Sequence, residues 1–295
     1  MISARLREAR AALVADVSLR GRAFGAAIAA ALDRALVEAF TAVDARGEVA
    51  VVALGSYARR ELCPGSDVDV LLVHNLRGRR RADQVRDLTE RLWYPLWDAG
   101  FVTGHGARSV KESVALADDD LDALTALVEV RHIAGAIDLT VELERKAREL
   151  AVKRQTRMLR SLLDGATARR VRPGAIAEML EPDLKEGAGG LRDVHALEWA
   201  GWAFGAPGGA ASLVDRGFLR ADDLARVASG RELLLDLRVA LQRVTGSRSD
   251  RLALQEQDAV TAQLGVVRRR CARTRSGERG ARDRVDLRRR VGGSE

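Results

Sequence analysis

Cysteine and aromatic residues are scarce in this chain. The two cysteines, Cys63 and Cys271, lie far apart and do not form a pair with the spacing of metal ligands. This usage argues against a disulfide framework or a structural zinc site and favours a reducing compartment, so we expect a cytoplasmic protein. Aromatic residues make up only 4% of the 295 residues, so Leu, Val and Ala must form most of the core.

Long apolar runs are also missing. No stretch approaches the roughly 18 consecutive apolar residues that a membrane-spanning helix needs. The N-terminus mixes charges early and lacks the three-part form of a signal peptide. We therefore expect no membrane association.

An excess of positive charge is confined to one end of the chain. The formal net charge is +7, and residues 266–295, with 11 Arg and 4 acidic residues, account for all of it. Residues 1–265 are therefore neutral overall and predict no basic face. A nucleic-acid-binding body is not expected.

The residues between Val51 and Val73 carry the clearest chemical pattern. They predict a strand, a Gly-Ser turn, a short helix, a Pro-Gly turn and a second strand. Asp67 and Asp69 stand at the head of the second strand, and residues two apart on a strand share one face, about 6.5–7 Å apart. That separation suits two acids that share one or two magnesium ions.

Whether these two acids belong to an inert turn or to a functional site depends on the residues around them. An Asp-x-Asp sequence is commonly a solvated turn or strand cap. Here an apolar run, Val70 to Val73, follows directly, and two acids at the mouth of a buried strand repel each other unless a cation or donor lies between them. Gly55 and Ser56 lie upstream, where backbone N–H groups can approach a phosphate closely. The pattern favours a site that transfers a nucleotidyl group.

Two motifs carry a family resemblance that covers roughly residues 20 to 265. The combination Leu54-Gly55-Ser56 with Asp67-Val68-Asp69 resembles the signature of the DNA polymerase β-like nucleotidyltransferases. The fuller run from Gly55 to Leu62, followed by Pro64 and Ser66 to Asp69, is similar to one branch, the uridylyltransferases that modify the nitrogen-regulatory protein PII. A second segment, Pro182 to Asp193, resembles the Lys-Glu-Gly-x-Gly-Gly-Leu-Arg-Asp motif of that branch.

The resemblance implies a reaction and roles for particular residues. Asp67 and Asp69 would bind Mg²⁺ as the catalytic pair, and Gly55, Ser56 and Arg59 would bind the nucleotide. UMP would pass from UTP to a tyrosine of PII, with release of pyrophosphate; AMP from ATP remains an alternative. The accessory candidates of the second motif are Lys185, Arg192 and Asp193. The third carboxylate of the superfamily stays unassigned.

Several alternatives stay open. Arg59 could form a surface ion pair, and His105, which matches a Gly-His pair of the branch, could be a structural histidine. The whole chain could be an inactive nucleotide-binding module. An adenylyltransferase of the glutamine-synthetase type or an antitoxin-type nucleotidyltransferase shares the first motif, but neither readily accounts for the segment Lys185 to Asp193.

The expected fold class is α+β, a nucleotidyltransferase fold with a small mixed sheet and flanking helices, followed by an all-helical domain. The predicted domains are N-terminal helices 1–46, a nucleotidyltransferase domain 47–140, a helical domain 141–265 and a basic, disordered tail 266–295. Predicted strands cover about 49–54, 68–74 and 101–110. After residue 120 the predicted helices are roughly 120–134, 138–164, 191–204, 221–244 and 250–264.

The chain departs from the resembled family at its C-terminal end. Family members continue into a His-Asp phosphohydrolase domain and paired ACT domains, whereas this chain has four histidines and no adjacent His-Asp pair. We expect a chain truncated before these domains, without nucleotide removal or glutamine sensing. The arginine-rich tail is interpreted as the product of a frame change or early stop, with a basic docking arm as the rival interpretation.

Overall fold

The computed structural model describes residues 1–42, 47–78, 81–171, 174–205 and 208–265. The predicted tail, 266–295, lies outside the described residues. The strands are β1 (Val49–Ala53), β2 (Val68–His74), β3 (Thr103–Arg108) and β4 (Arg131–Gly135). The helices are α1 (Ile2–Ala15), α2 (Gly21–Thr41), α3 (Gly55–Ala58), α4 (Arg81–Asp98), α5 (Val110–Asp119), α6 (Leu121–Leu127), α7 (Ile137–Lys153), α8 (Gln155–Val171), α9 (Leu191–Ala203), α10 (Ala211–Asp215), α11 (Ala221–Thr245) and α12 (Leu254–Gln263).

The four strands form one mixed sheet in the order β3-β2-β1-β4. β1 pairs antiparallel with β2 and with β4, and β2 pairs parallel with β3. The register places Val51 opposite Leu72 and Asp69 opposite Gly104. The predicted α+β class with a small mixed sheet and a helical part is confirmed.

Both faces of the sheet are covered by helices. Val49 and Val51 belong to a core shared with α1, α2 and α4, in which Phe24 of α2 is fully buried. Ala50 and Val52 point the other way, into a core shared with α5, α6, α7 and α9. Because side chains alternate along a strand, apolar residues at every position of β1 produce two cores.

The segment around residues 128–135 corrects a predicted element. We predicted helix over 120–134, but the structure ends α6 at Leu127 and places β4 at Arg131–Gly135. The strand completes the sheet beside β1, and Gly135 there has φ +88°, with Val49 O only 2.3 Å from where a side chain would begin. The apolar spacing of Leu127, Val130 and Ile133 fits a helix, and only pairing with β1 makes this segment a strand.

The helical region after α7 is continuous with the sheet rather than held apart from it. Trp199 of α9 is part of the core on the second face, and Val239 of α11 belongs to the core on the first. A third core joins Leu184 and Leu191 to α11 and α12. The predicted boundary at 140/141 falls inside α7, and the division into domains remains a proposal. In the described ranges, no helix is long and apolar enough to cross a membrane.

Candidate nucleotidyltransferase site

A cleft of about 330 Å³ lies between the sheet and the helical region. Gly55, Ser56, Asp67 and Asp69 line it from the sheet side. From the helical side it is lined by Lys185 and by residues of α9, α11 and the segment that follows α11. The two motifs that the sequence singled out therefore meet in one cleft, although they are more than a hundred residues apart.

Asp69 is the more buried of the two carboxylates. It is the second residue of β2 and points to the same face as Leu71 and Val73, the face that the helical region covers. A Cβ on Gly104 would lie 2.1 Å from Asp69 Oδ1, and a Cβ on Gly55 would lie 3.2 Å from Oδ2. The carboxylate thus lies between two glycines, whose missing side chains leave room for it.

Electrostatics make Asp69 harder to ionise than an ordinary aspartate. Burial raises the pKa of Asp69, and the negative charge of Asp67 raises it further. The positive charges of Lys185 and Arg59 oppose this increase without cancelling it. A bound cation would relieve both the repulsion and the desolvation.

Asp67 is more open and already faces a cation. It precedes β2 rather than lying within it, and its side chain is 52% exposed. Asp67 Oδ1 lies 2.8 Å from a guanidinium nitrogen of Arg248, which belongs to the segment between α11 and α12. Sequence reasoning did not find Arg248, because its approach depends on how the helical region packs on the sheet.

The Gly55-Ser56 turn begins the one-turn helix α3. Gly55 has φ +53°, a conformation that favours glycine. Leu54, just before the turn, donates its N–H to the backbone oxygen of Asp69 at 3.0 Å, which fixes the turn against β2. The first N–H groups of a helical turn have no acceptor within the turn, so Gly55 and Ser56 can offer donors to an anion.

Arg59 reaches the cleft but is held by two carboxylates. Its guanidinium donates to Glu61 at 3.0 Å and to Glu129 at 2.7 Å, and the side chain is 13% exposed. Arg59 therefore forms ion pairs, as one of the alternatives expected, but these pairs are largely buried rather than at the surface. Arg59 still acts on the site through its charge, which lowers the pKa of Asp69.

Glu61 is the centre of a buried ion network behind the cleft. Its carboxylate accepts hydrogen bonds from Arg59, from Arg231 of α11 and from His195 of α9. Burial alone would raise the pKa of Glu61, but the hydrogen bond from His195 and the charges of Arg231 and Arg59 outweigh it and lower the pKa to about 2. The network joins the first motif to the helical region.

The three accessory candidates of the second motif have different positions. Lys185 and Arg192 line the cleft, and Arg192 also donates to Glu186 at 2.9 Å. Asp193 is not among the cleft residues: it accepts from Arg169 and from the N–H of Gly189, so it stabilises the glycine-rich turn. His105 lies on β3 within 3.3 Å of Thr103 Oγ1 and next to the Trp97 ring.

The donor set of the cleft fits a hard divalent cation. Carboxylate oxygens are the ligands that Mg²⁺ prefers, and it is usually held by one or two carboxylates together with substrate phosphates. Among the residues that the structure describes, no group of three or more His, Cys, Asp or Glu side chains could hold a metal ion. Asp67 and Asp69 remain the candidate ligands because both line the cleft beside the Gly55-Ser56 turn, and the third carboxylate remains unassigned.

Comparison with known proteins gives two family matches. Residues 5–114 match the family described as putative nucleotidyltransferase DUF294, and residues 156–292 match the family described as GlnD PII-uridylyltransferase. The predicted resemblance to the PII uridylyltransferases is confirmed. The first match contains Gly55, Ser56, Asp67 and Asp69, and the second contains the segment Lys185 to Asp193.

Similar curated proteins are bifunctional uridylyltransferase/uridylyl-removing enzymes. The chain is 40% identical over 229 residues to that of Mycobacterium tuberculosis, which is 75% of this chain and 26% of the relative. It is 38% identical over 221 residues to that of Streptomyces coelicolor, covering 74% and 24%. It is 35% identical over 277 residues to that of Thiobacillus denitrificans, covering 93% and 32%. The chain thus spans about a quarter to a third of the length of these PII uridylyltransferase relatives.

Proposed function

We propose that this chain transfers UMP from UTP to a tyrosine hydroxyl of a PII signal protein and releases pyrophosphate. The observation that carries the proposal is the meeting of Asp67, Asp69 and the Gly55-Ser56 turn in one cleft. The match of residues 156–292 to the PII-uridylyltransferase family supports the choice of nucleotide and acceptor. The proposal places the reaction in the cytoplasm, as the sequence predicts.

Asp67 and Asp69 would hold Mg²⁺ in this cleft. When bound, the ion would draw charge from the triphosphate and stabilise the departing pyrophosphate. Asp69 is fixed by its position on β2 between Gly55 and Gly104, whereas Asp67 is more exposed and free to adjust. One rigid and one adaptable carboxylate suit an ion that also takes ligands from a substrate.

The remaining residues of the cleft would bind and orient the nucleotide. Gly55 and Ser56 would hold the β- and γ-phosphates through backbone N–H groups and the serine hydroxyl. Lys185 and Arg192, on the opposite wall, would neutralise phosphate charge. Arg59, whose guanidinium is engaged by Glu61 and Glu129, would add positive potential from behind the turn. The acceptor tyrosine, with an ordinary pKa of about 10, would need a base to take its proton.

The experiment described below also tests two other functions, which we do not favour. Transfer of AMP from ATP would use the same residues, but the relatives carry uridylyltransferase names. An inactive nucleotide-binding module would keep the cleft without the chemistry.

The experiment incubates the protein with PII, Mg²⁺ and α-labelled UTP or ATP, beside the variants Asp69→Asn and Asp164→Asn. Asp164 is an exposed aspartate of α8 outside the cleft and serves as the matched control. We expect label on PII from UTP with the wild type and with Asp164→Asn, and a loss of at least a hundredfold with Asp69→Asn, the order of magnitude that one lost charge-stabilising group costs. If only ATP labels PII, the transferred group is AMP rather than UMP. If neither nucleotide labels PII, the proposed transferase is rejected.

A further inference from the structure

The segment between α11 and α12 places a cation at the proposed metal site. Arg248 lies 2.8 Å from Asp67 and lines the cleft, yet its side chain remains 50% exposed. An ion pair between two half-exposed side chains is weak and exchanges readily. Arg248 is thus close to the carboxylates but is not locked there.

The backbone that carries Arg248 is fixed much more firmly than its side chain. Gln242, near the end of α11, accepts the N–H of Gly65 at 2.9 Å, which joins the helical region to the turn before Asp67. A Cβ on Gly65 would lie 3.1 Å from the Cα of Arg248, so the two backbones are in close contact.

Asp250 anchors the other side of the same segment. Its carboxylate accepts from Arg238 at 2.8 Å and from Gln242 at 3.1 Å, and its backbone oxygen accepts the N–H of Leu184 at 2.8 Å. Arg238 is buried. The segment is therefore tied both to α11 and to the residue that precedes Lys185.

A divalent ion and Arg248 compete for the same carboxylate. An ion bound by Asp67 would repel the guanidinium, and a side chain on a fixed backbone would then turn towards the nearest negative charge. With a nucleoside triphosphate in the cleft, that charge is a phosphate oxygen, which a guanidinium binds with paired donors.

We propose that Arg248 is a triphosphate-binding residue that occupies Asp67 until the metal–nucleotide complex arrives. This inference rests on the proposed function, since it takes Asp67 as a metal ligand and a nucleoside triphosphate as the substrate. It assigns to the helical region a direct part in nucleotide binding. It also predicts that replacing Arg248 strengthens the binding of Mg²⁺ alone and weakens the binding of the nucleotide. Replacing a purely structural residue would not have these two opposite effects.

The test is calorimetric titration of the full chain, without acceptor protein, by Mg²⁺ alone and by UTP in saturating Mg²⁺. In Arg248→Ala we expect Mg²⁺ alone to bind about two- to fivefold more tightly, because its competitor is gone. UTP with Mg²⁺ should bind about tenfold more weakly or worse, because a charged hydrogen-bond donor is lost. Arg248→Lys, which keeps the charge, should fall between the wild type and Arg248→Ala in both titrations.

Arg251→Ala is the matched control. Arg251 lies three residues further along the same segment, is 67% exposed and pairs with Glu181 away from the cleft, so both affinities should stay at the wild-type level. Unchanged UTP affinity in Arg248→Ala, or a parallel loss of both affinities, would overturn the inference while leaving the transferase intact. If the wild type binds no UTP or ATP in the presence of Mg²⁺, the proposed function itself fails and the inference fails with it.

Discussion

At the residue scale, Asp69 is a site residue that the sequence motif identifies, but its buried negative charge lowers the stability of the fold. Together with Gly55, Ser56 and Asp67 it lies within a stretch of 15 residues, and the pattern of that stretch was enough to predict that they would meet. In the structure all four residues line one cleft. Arg248 could not be predicted in this way, because its position depends on the packing of α11 on the Pro64-Gly65 turn.

The first prediction concerns the stability of Asp69→Asn. Burial and the charge of Asp67 raise the folded-state pKa of Asp69 above its ordinary 3.8, so the folded state favours the protonated carboxyl. Stability from this group is therefore present below pH 3.8 and is lost as the pH rises through the folded pKa. At pH 7 the neutral amide should raise the free energy of unfolding above that of the wild type, although the proposed transfer would be lost.

Urea denaturation of both proteins at pH 7 and pH 3.5 checks this prediction. The gain should be present at pH 7 and absent at pH 3.5, where the wild-type carboxyl is also protonated. Asp164→Asn, at an exposed position, should show neither effect. A variant that is less stable than the wild type at pH 7 would contradict the electrostatic account of Asp69.

At the scale of elements, β3 shapes the site without contributing an acid. Its position beside β2 brings Gly104 opposite Asp69, and a glycine there leaves space for the carboxylate. The strand was predicted from the sequence, but the purpose of its glycine was not, since register cannot be read from one strand alone. β4 was missed entirely, because its five residues include Arg131 and His132 and lie directly after a helical pattern.

The second prediction therefore concerns Gly104→Ala. The new Cβ would lie 2.1 Å from Asp69 Oδ1, so the carboxylate must leave its present position. We expect metal affinity to fall about tenfold or more, as is typical when the groups that orient a ligand are disturbed. Isothermal titration with Mg²⁺ measures the effect, and circular dichroism checks that the fold is kept.

Gly106→Ala on the same strand is the control for Gly104→Ala. The atoms nearest to its Cβ would be those at the flexible end of Arg108, at 2.9 Å, and Arg108 is not a lining residue of the cleft. Metal affinity should stay at the wild-type level. Equal affinity in both variants would show that β3 does not position Asp69.

At the scale of the whole molecule, the Glu61 network holds the helical region against the sheet. Glu61, in the first motif, is 2% exposed and accepts from His195 and Arg231, which lie 134 and 170 residues further along the chain. Composition and periodicity predicted a sheet domain and a helical region but not this connection. Pairings across such distances follow from packing, and no local pattern carries them.

The third prediction concerns Glu61→Gln. Removing the charge leaves Arg59 and Arg231, which are largely buried, without their full set of partners. We expect a loss of about 3 kcal/mol in the free energy of unfolding at pH 7. The pKa of Glu61 is lowered to about 2 from 4.5, so its contribution is present above pH 4.5 and is lost as the pH falls through 2. The difference between the wild type and the variant should therefore shrink as the pH falls from 4.5 towards 2.

Urea denaturation across this pH range checks the prediction, with Glu38→Gln as the control. Glu38 forms an ion pair with Arg5 at the surface, where both side chains are about half exposed or more, so its loss should cost no more than about 1 kcal/mol. A Glu61→Gln protein as stable as Glu38→Gln would mean that the network does not hold the two parts together.

The most direct measurement of the central claim is the binding of Mn²⁺, as a paramagnetic substitute for Mg²⁺, followed by electron paramagnetic resonance in the presence of UTP. The wild type and Asp164→Asn should bind the ion, whereas Asp67→Asn and Asp69→Asn should each bind it at least tenfold more weakly. Equal binding by all four proteins would contradict the assignment of this carboxylate pair as the metal site on which the proposed transfer depends.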